Sequence, residues 1–314
     1  MKSFAQGLLF SLKPYLRWFI VGVALFFLVK VFKDHWQEVL AVRVSGWGWM
    51  SLTIALLITI IAHIWSGWIW GWILAEFNQR VKAVWSIQTY LITNIGKYLP
   101  GNVWHFYGRI RAAQSVGVPG AIAILSTLME PLLMAASALI LAAGASPQSR
   151  GLLQGVILAT VLIGVHPRIL NPILTFLSKK KIKRELADKD QPSAQLKRYP
   201  LKPLLGEMGF LLIRGLGFLF ALRALSAIEM AQVPQLLSAF SFAWLLGLVI
   251  PGAPGGLGVF EATAIALLDG VYPSAIILSG VALYRVISVL AEAIGALLAW
   301  LYQSLNSGHF LKVD

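Results

Sequence analysis

The 314 residues are 58% hydrophobic and only 12% charged, with a mean hydropathy of +0.76, which leaves too little charge to cover a water-soluble domain of this length. There is no cysteine, so disulfides, thiolate catalysis and thiolate-held metal centres are excluded. Lys and Arg number 26 against 13 Asp and Glu, a net charge of +13, which alongside several apolar runs near the ~20 residues of a membrane span points to anionic lipid and cytoplasmic loops rather than nucleic acid.

In chain order, Lys2, Lys13 and Arg17 precede an apolar run from Trp18 to Val29 that ends at Lys30 and Lys33 without a small-residue cleavage motif. The expectation is an uncleaved first span with a cytoplasmic amino terminus. Met50 to Leu74 carries no Lys, Arg, Asp or Glu and is the clearest span, with Trp65, Trp68, Trp70 and Trp72 reading as an interfacial belt near its far end. Residues 84–111 read as a broken hairpin: Val84 to Ile95, the breaker Gly96-Lys97-Tyr98-Leu99-Pro100-Gly101, then Asn102 to Ile110. Ala121 to Ala143 reads as a span interrupted at Glu130-Pro131, and Leu152 to about Leu170 as a return crossing with Pro167 near its end.

Composition changes abruptly over residues 178–203, where nine basic residues, from Lys179 to Lys202, face Glu185, Asp188 and Asp190. By the positive-inside rule this linker is cytoplasmic, and it separates a membrane half of residues 1–177 from a second half of residues 204–314. Two roles stay open for it, a topology signal or a patch for lipid headgroups. Leu204 to Leu225 spans again; residues 236–268 then form a second broken hairpin, with the turn Pro251 through Gly258 between Leu236–Ile250 and Val259–Leu268. Ser274 to about Tyr302 is the last span and carries Arg285 and Glu292 two turns apart on one face.

Pro100-Gly101 and Pro251-Gly252 sit at matching places, and Pro119-Gly120-Ala121-Ile122 echoes Pro273-Ser274-Ala275-Ile276 at nearly the same separation. The expected fold is therefore all-α and polytopic, about six full spans plus two re-entrant or broken helical hairpins in an inverted repeat, with both termini in the cytoplasm. Full crossing of each hairpin as a kinked helix is the alternative.

Glu130, Arg214, Arg285 and Glu292 fall inside apolar spans, where each ion costs at least about 2.5 kcal/mol, so they should face the bundle interior as a charge network. Glu130 and Arg285 hold equivalent places after the two breaks and are expected to lie near each other. Glu261 follows the glycine-rich turn on the first turn of a helix, a position that suits either a cap or a wall of an anion site. Lys97 lies inside the first break, where it would point a cation at the central region. His63 reads as a hydrogen-bonded interior histidine, and Tyr98 as a belt or packing group. No HExxH, GxSxG or DDxxD-like motif is present, and Asp34, Asp188, Asp190, Asp269 and Asp314 lie outside the apolar runs or at their edges. No catalytic residue, metal or cofactor is expected.

From Asn94 through Gly101, with Trp104, Gly108 and Arg109 following, and again from Pro251 through Gly258 to Glu261, the chain resembles the lysylphosphatidylglycerol synthetase membrane-region family of flippase-like proteins. Arg285 also falls where that family carries an arginine, and the resemblance covers about Phe4 to Leu305. One departure is Pro131 after Glu130, where the family leads one to expect a Glu-Arg pair. The resemblance implies a stand-alone membrane module, without the soluble aminoacyl-transfer domain of fused relatives, that moves an anionic lipid of phospholipid or polyprenyl-phosphate type between leaflets of the plasma (inner) membrane. Substrate contacts are expected at Lys97, Tyr98, Gly101, Arg109, Gly252, Gly255, Gly256, Gly258, Glu261 and Arg285. A homo-oligomer or a partner enzyme is a possible assembly. The rival functions are a secondary transporter of a small anion or amino acid, a membrane glycosyl transferase, and a non-catalytic accessory to such an enzyme.

Overall fold

A computed structural model describes residues 44–98, 103–144, 151–173, 195–250, 256 and 258–310. The expected first span at residues 18–29, most of the basic linker, and the tips of both breaks, including Gly101, Gly252 and Gly255, lie outside the described residues.

The described chain is helical throughout. Helix α1 (Gly46–Glu76) is opened by Ser45, whose hydroxyl accepts the Gly48 amide at 3.1 Å, and it closes at Phe77 and Asn78, the latter at φ +60°. Helix α2 (Ala83–Asn94) passes into a 3-10 turn, Ile95–Tyr98, and α3 (Trp104–Ser115) follows the break. Helix α4 (Gly120–Gly144) runs through Pro131 without interruption, contrary to the sequence expectation. A proline removes one backbone hydrogen bond, but a helix packed among neighbours in a bundle tolerates that loss.

Helix α5 (Gly151–Gly164) and α6 (Pro167–Ile173) are bent by 65° at Val165-His166, with Pro167 in the first-turn position where its missing N–H is harmless. The sharp bend expected within a span therefore falls here. Helix α7 (Leu201–Arg223) leads through the 3-10 turn Met230–Gln232 to α8 (Val233–Val249), then α9 (Val259–Leu268) and the long α10 (Ser274–Phe310).

By length and composition, five helical stretches can cross a membrane, and six if the bent pair counts as one. One of the five is Met230–Val249, longer than the half-helix from Leu236 that the sequence pattern predicts. The 3-10 turn and Pro234 at the start of α8 extend it to span length. The two breaks are thus unlike in form: two 12-residue helices flank the first, whereas a full-length helix and a 10-residue helix flank the second.

Helix α1 packs most extensively against α7, and also against α2 and α10, while α8 lies along α4. Polar groups tie these faces together. Trp65 Nε1 donates to the Gly206 carbonyl at 2.9 Å, the Ser137 hydroxyl to the Leu204 carbonyl at 3.1 Å, and the Ser238 hydroxyl to the Ala142 carbonyl at 2.7 Å. Close approach needs small residues, as is usual where helices meet in lipid: a Cβ on Gly67 would stand 2.7 Å from the Ile87 Cα. Behind the charged interior, Phe218, Phe240, Phe260 and Tyr284 bring α7, α8, α9 and α10 together with ring centroids 5.5–6.1 Å apart.

Candidate functional site

The interior charges fall into three groups. In the first, Glu130 on α4 accepts the Tyr90 hydroxyl at 2.9 Å on one oxygen and Arg109 of α3 on the other. Tyr90 in turn accepts the Ser66 hydroxyl at 2.9 Å, and the Arg109 guanidinium lies 4.5 Å from the Tyr90 ring centre. The side chains of Arg109 and Glu130 are only 2% and 4% exposed, so this pair is sealed.

The expectation that Glu130 would meet Arg285 is therefore corrected. Arg109, one helix earlier in the chain, supplies the cation for Glu130, because α3 packs directly on α4 after the first break. This also accounts for the departure at Pro131: no arginine is required next to Glu130 when Arg109 reaches it from another helix.

In the second group, Lys97 projects from the first break onto Glu292 Oε1 of α10. The same oxygen is 3.3 Å from His63 Nε2 on α1, and His63 Nε2 is 3.3 Å from Arg214 Nη1 on α7. Arg214 also donates to the Ser288 hydroxyl at 3.2 Å, and its guanidinium stands 5.0 Å from each of the Trp244 and Tyr284 ring centres. Three helices, α1, α7 and α10, and the break thus share one polar chain through the bundle. Tyr98 sits beside Lys97, whose ammonium is 5.2 Å from its ring centre.

The third group belongs to the second break. Glu261 Oε2 accepts the Gly258 amide at 2.6 Å, which is a helix-start cap, while Oε1 takes the Arg285 guanidinium from α10. Gly256 and Gly258 both hold positive φ, +71° and +82°, and a Cβ on Gly256 would lie 3.0 Å from the Gly247 Cα. Only glycine fits a turn that is both left-handed and pressed against the backbone of α8.

Exposure separates the groups. Lys97 and Arg285 side chains are 23% and 28% exposed, whereas their carboxylate partners Glu292 and Glu261 are 1% and 6% exposed. A ligand entering the bundle would meet the cations first.

Sequence reasoning missed Glu207, which is fully buried on α7 with neither carboxylate oxygen hydrogen-bonded, within electrostatic reach of Glu130 and Arg109. Glu207 lies a few residues beyond the basic linker, where a carboxylate passes for part of a solvated boundary. The signal that could have found it is its place in the first two turns of an otherwise apolar helix. Tyr90 and Ser66 were missed as well, since a hydroxyl in an apolar run has no hydropathy signature.

These features define an α-helical multi-pass membrane protein whose interior charges are paired between helices. Among the described residues no group of three or more His, Asp or Glu side chains is placed to hold a metal ion. Residues 16–295 match the family model described as the lysylphosphatidylglycerol synthase TM region, and the chain belongs to that family. A comparison with curated proteins gave no match. Membership and the multi-span architecture support a general role in lipid handling and transport. The match is to the membrane region of the synthase, which is distinct from its catalytic aminoacyl-transfer part, and a non-enzymatic role accords with it.

Proposed function

We propose that the protein moves an anionic lipid, of phospholipid or polyprenyl-phosphate type, between membrane leaflets, with the headgroup passing Lys97 and Arg285. The observation that carries this reading is the partly exposed Lys97 side chain held on a nearly inaccessible Glu292, a cation already brought into the bundle and neutralised by an internal carboxylate. A phosphate that takes Lys97 brings its own negative charge, and the released Glu292 keeps His63 at 3.3 Å with Arg214 next along the chain, while the acyl chains stay in the bilayer. Arg285 on Glu261 offers a second partly exposed cation at the second break, beside the Gly256 and Gly258 turn. Arg109, sealed against Glu130, serves the bundle rather than the headgroup in this reading.

In the accompanying topology, the amino terminus, the linker of residues 178–203 and the carboxyl terminus face the cytoplasm of a plasma (inner) membrane. The break at residues 84–111 acts as a re-entrant hairpin, the break within residues 236–268 follows a helix long enough to cross, and association with a second copy or a partner enzyme is compatible with the exposed faces of α1 and α10. The test is reconstitution into vesicles with fluorescent phosphatidylglycerol or phosphatidylcholine and a leaflet-selective quencher. Faster exchange of the anionic lipid than in empty vesicles is expected, and exchange no faster than in empty vesicles overturns the proposal.

Glu207 favours a second reading, a proton-coupled transporter of a small anion or amino acid, because a buried carboxylate without a hydrogen bond is a natural proton carrier. Substrate-dependent proton uptake into the same vesicles, abolished in Glu207→Gln, would select it.

A further inference from the structure

A second place for anionic chemistry lies away from the paired interior, where the C-terminal end of α1 meets the N-terminal end of α7. A cavity of about 1130 Å³ opens there, bounded by Trp65 and Trp72 on one side and by the residues that lead into α7 on the other. Arg80, Lys197, Arg198 and Lys202 line it, against the single carboxylate of Glu76. Arg80, Lys197 and Arg198 make no hydrogen bond or ion pair with any described residue; Arg198 and Lys202 act on the Glu76 carboxylate through space, and the Lys202 ammonium stands 4.4 Å from the Trp72 ring centre. Four cations gathered around one cavity repel one another, and an anion between them relieves that repulsion.

The apolar part of the wall is fixed. Trp65 is held by its hydrogen bond to Gly206, and it meets Trp72 edge-on at 5.6 Å. A Cβ on Gly206 would come within 3.0 Å of both Ile69 and Trp72, so the floor is closely packed. Tyr199 also lines the cavity and is held there by its hydroxyl, which donates to the Leu162 carbonyl at 3.1 Å. Leu201 and Leu205, both more than half exposed, open beside the same rim.

We infer that this cavity binds the phosphate-bearing headgroup of an anionic phospholipid in the leaflet on the linker side. Lysine and arginine above tryptophan at the ends of two spans is the arrangement of the headgroup layer, with cations at phosphate depth and indoles just below. The exposed leucines select a lipid over a free phosphate, since only a lipid brings acyl chains to them. The site does not rest on the transport reading: binding here stands whether or not the lipid crosses.

The test uses the full chain purified in dodecyl maltoside, which has no leaflets, so a failure of transport leaves it untouched. Calorimetric titration with dioctanoylphosphatidylglycerol should show salt-sensitive binding that weakens about tenfold or more in Arg198→Gln/Lys202→Gln and stays unchanged in Lys82→Gln, an exposed control outside the cavity. If the double variant does not fold, Arg80→Gln alone replaces it, with a several-fold loss expected. Equal binding of dioctanoylphosphatidylcholine, undiminished affinity in a folded cavity variant, or binding of inorganic phosphate as tight as that of the lipid would each overturn the assignment.

Discussion

The ion pair between Arg109 and Glu130 and the one between Lys97 and Glu292 are made from the same chemistry at either side of the first break, yet they differ in access. The former is 2% and 4% exposed and braced by Tyr90 and Ser66, while the Lys97 end of the latter is 23% exposed. A sealed pair cannot exchange its partner without opening the bundle, so its contribution is to structure. An accessible cation on a buried carboxylate can exchange partners, which is what a headgroup path requires. The second break repeats the accessible pattern with Arg285 on Glu261, but there the carboxylate also caps its own helix through the Gly258 amide, so its movement is more restricted.

Breaking the sealed pair should have the largest effect. Arg109→Gln leaves Glu130 and Glu207 buried without their shared cation, and thermal or denaturant unfolding in detergent should show a loss of about 3–5 kcal/mol. Arg109→Gln with Glu130→Gln should lose less than Arg109→Gln alone, which no account of independent residues gives.

Gly256→Val comes next. A β-branched residue at φ +71°, with its Cβ 3.0 Å from the Gly247 Cα, should lower stability by about 1–3 kcal/mol and shift the unfolding midpoint accordingly. Retention of wild-type stability would mean the turn is free to rearrange.

The accessible pair should give a smaller, coupled effect. In a double-mutant cycle of Lys97→Gln and Glu292→Gln, unfolding measurements should return a coupling of about 0.5–3 kcal/mol. Additive losses would say the two side chains act separately. Smallest of all, Lys82→Gln removes an exposed cation that makes no side-chain cap, and unfolding should stay within about 0.5 kcal/mol of wild type.

Local rules made much of this architecture legible. Proline and glycine placed both breaks, since Pro100-Gly101 and Pro251-Gly252 follow apolar runs too short to cross alone in a simple reading. Glu130, Arg214 and Glu292 were recognisable as interior charges because nothing apolar in their spans could solvate them, and all three are buried. Partner choice was not legible. Glu130 pairs with Arg109 rather than Arg285 because of how α3 packs on α4, a fact of tertiary geometry that spacing does not encode. Pro131 misled in the other direction: the breaker rule applies to a lone helix, and α4 is supported along its length. Glu207 escaped because the basic linker before α7 made its neighbourhood look like solvent.

The central claim is that Lys97 is exchanged between Glu292 and a lipid headgroup, and the transfer rate of Lys97→Gln tests it most directly. In vesicles with fluorescent phosphatidylglycerol and a leaflet-selective quencher, the variant should move lipid about tenfold more slowly than wild type, the loss of one charge-assisted hydrogen bond. Its unfolding midpoint, read on the same preparation, should show that the protein is still folded. Transfer at the wild-type rate by folded Lys97→Gln would contradict the account.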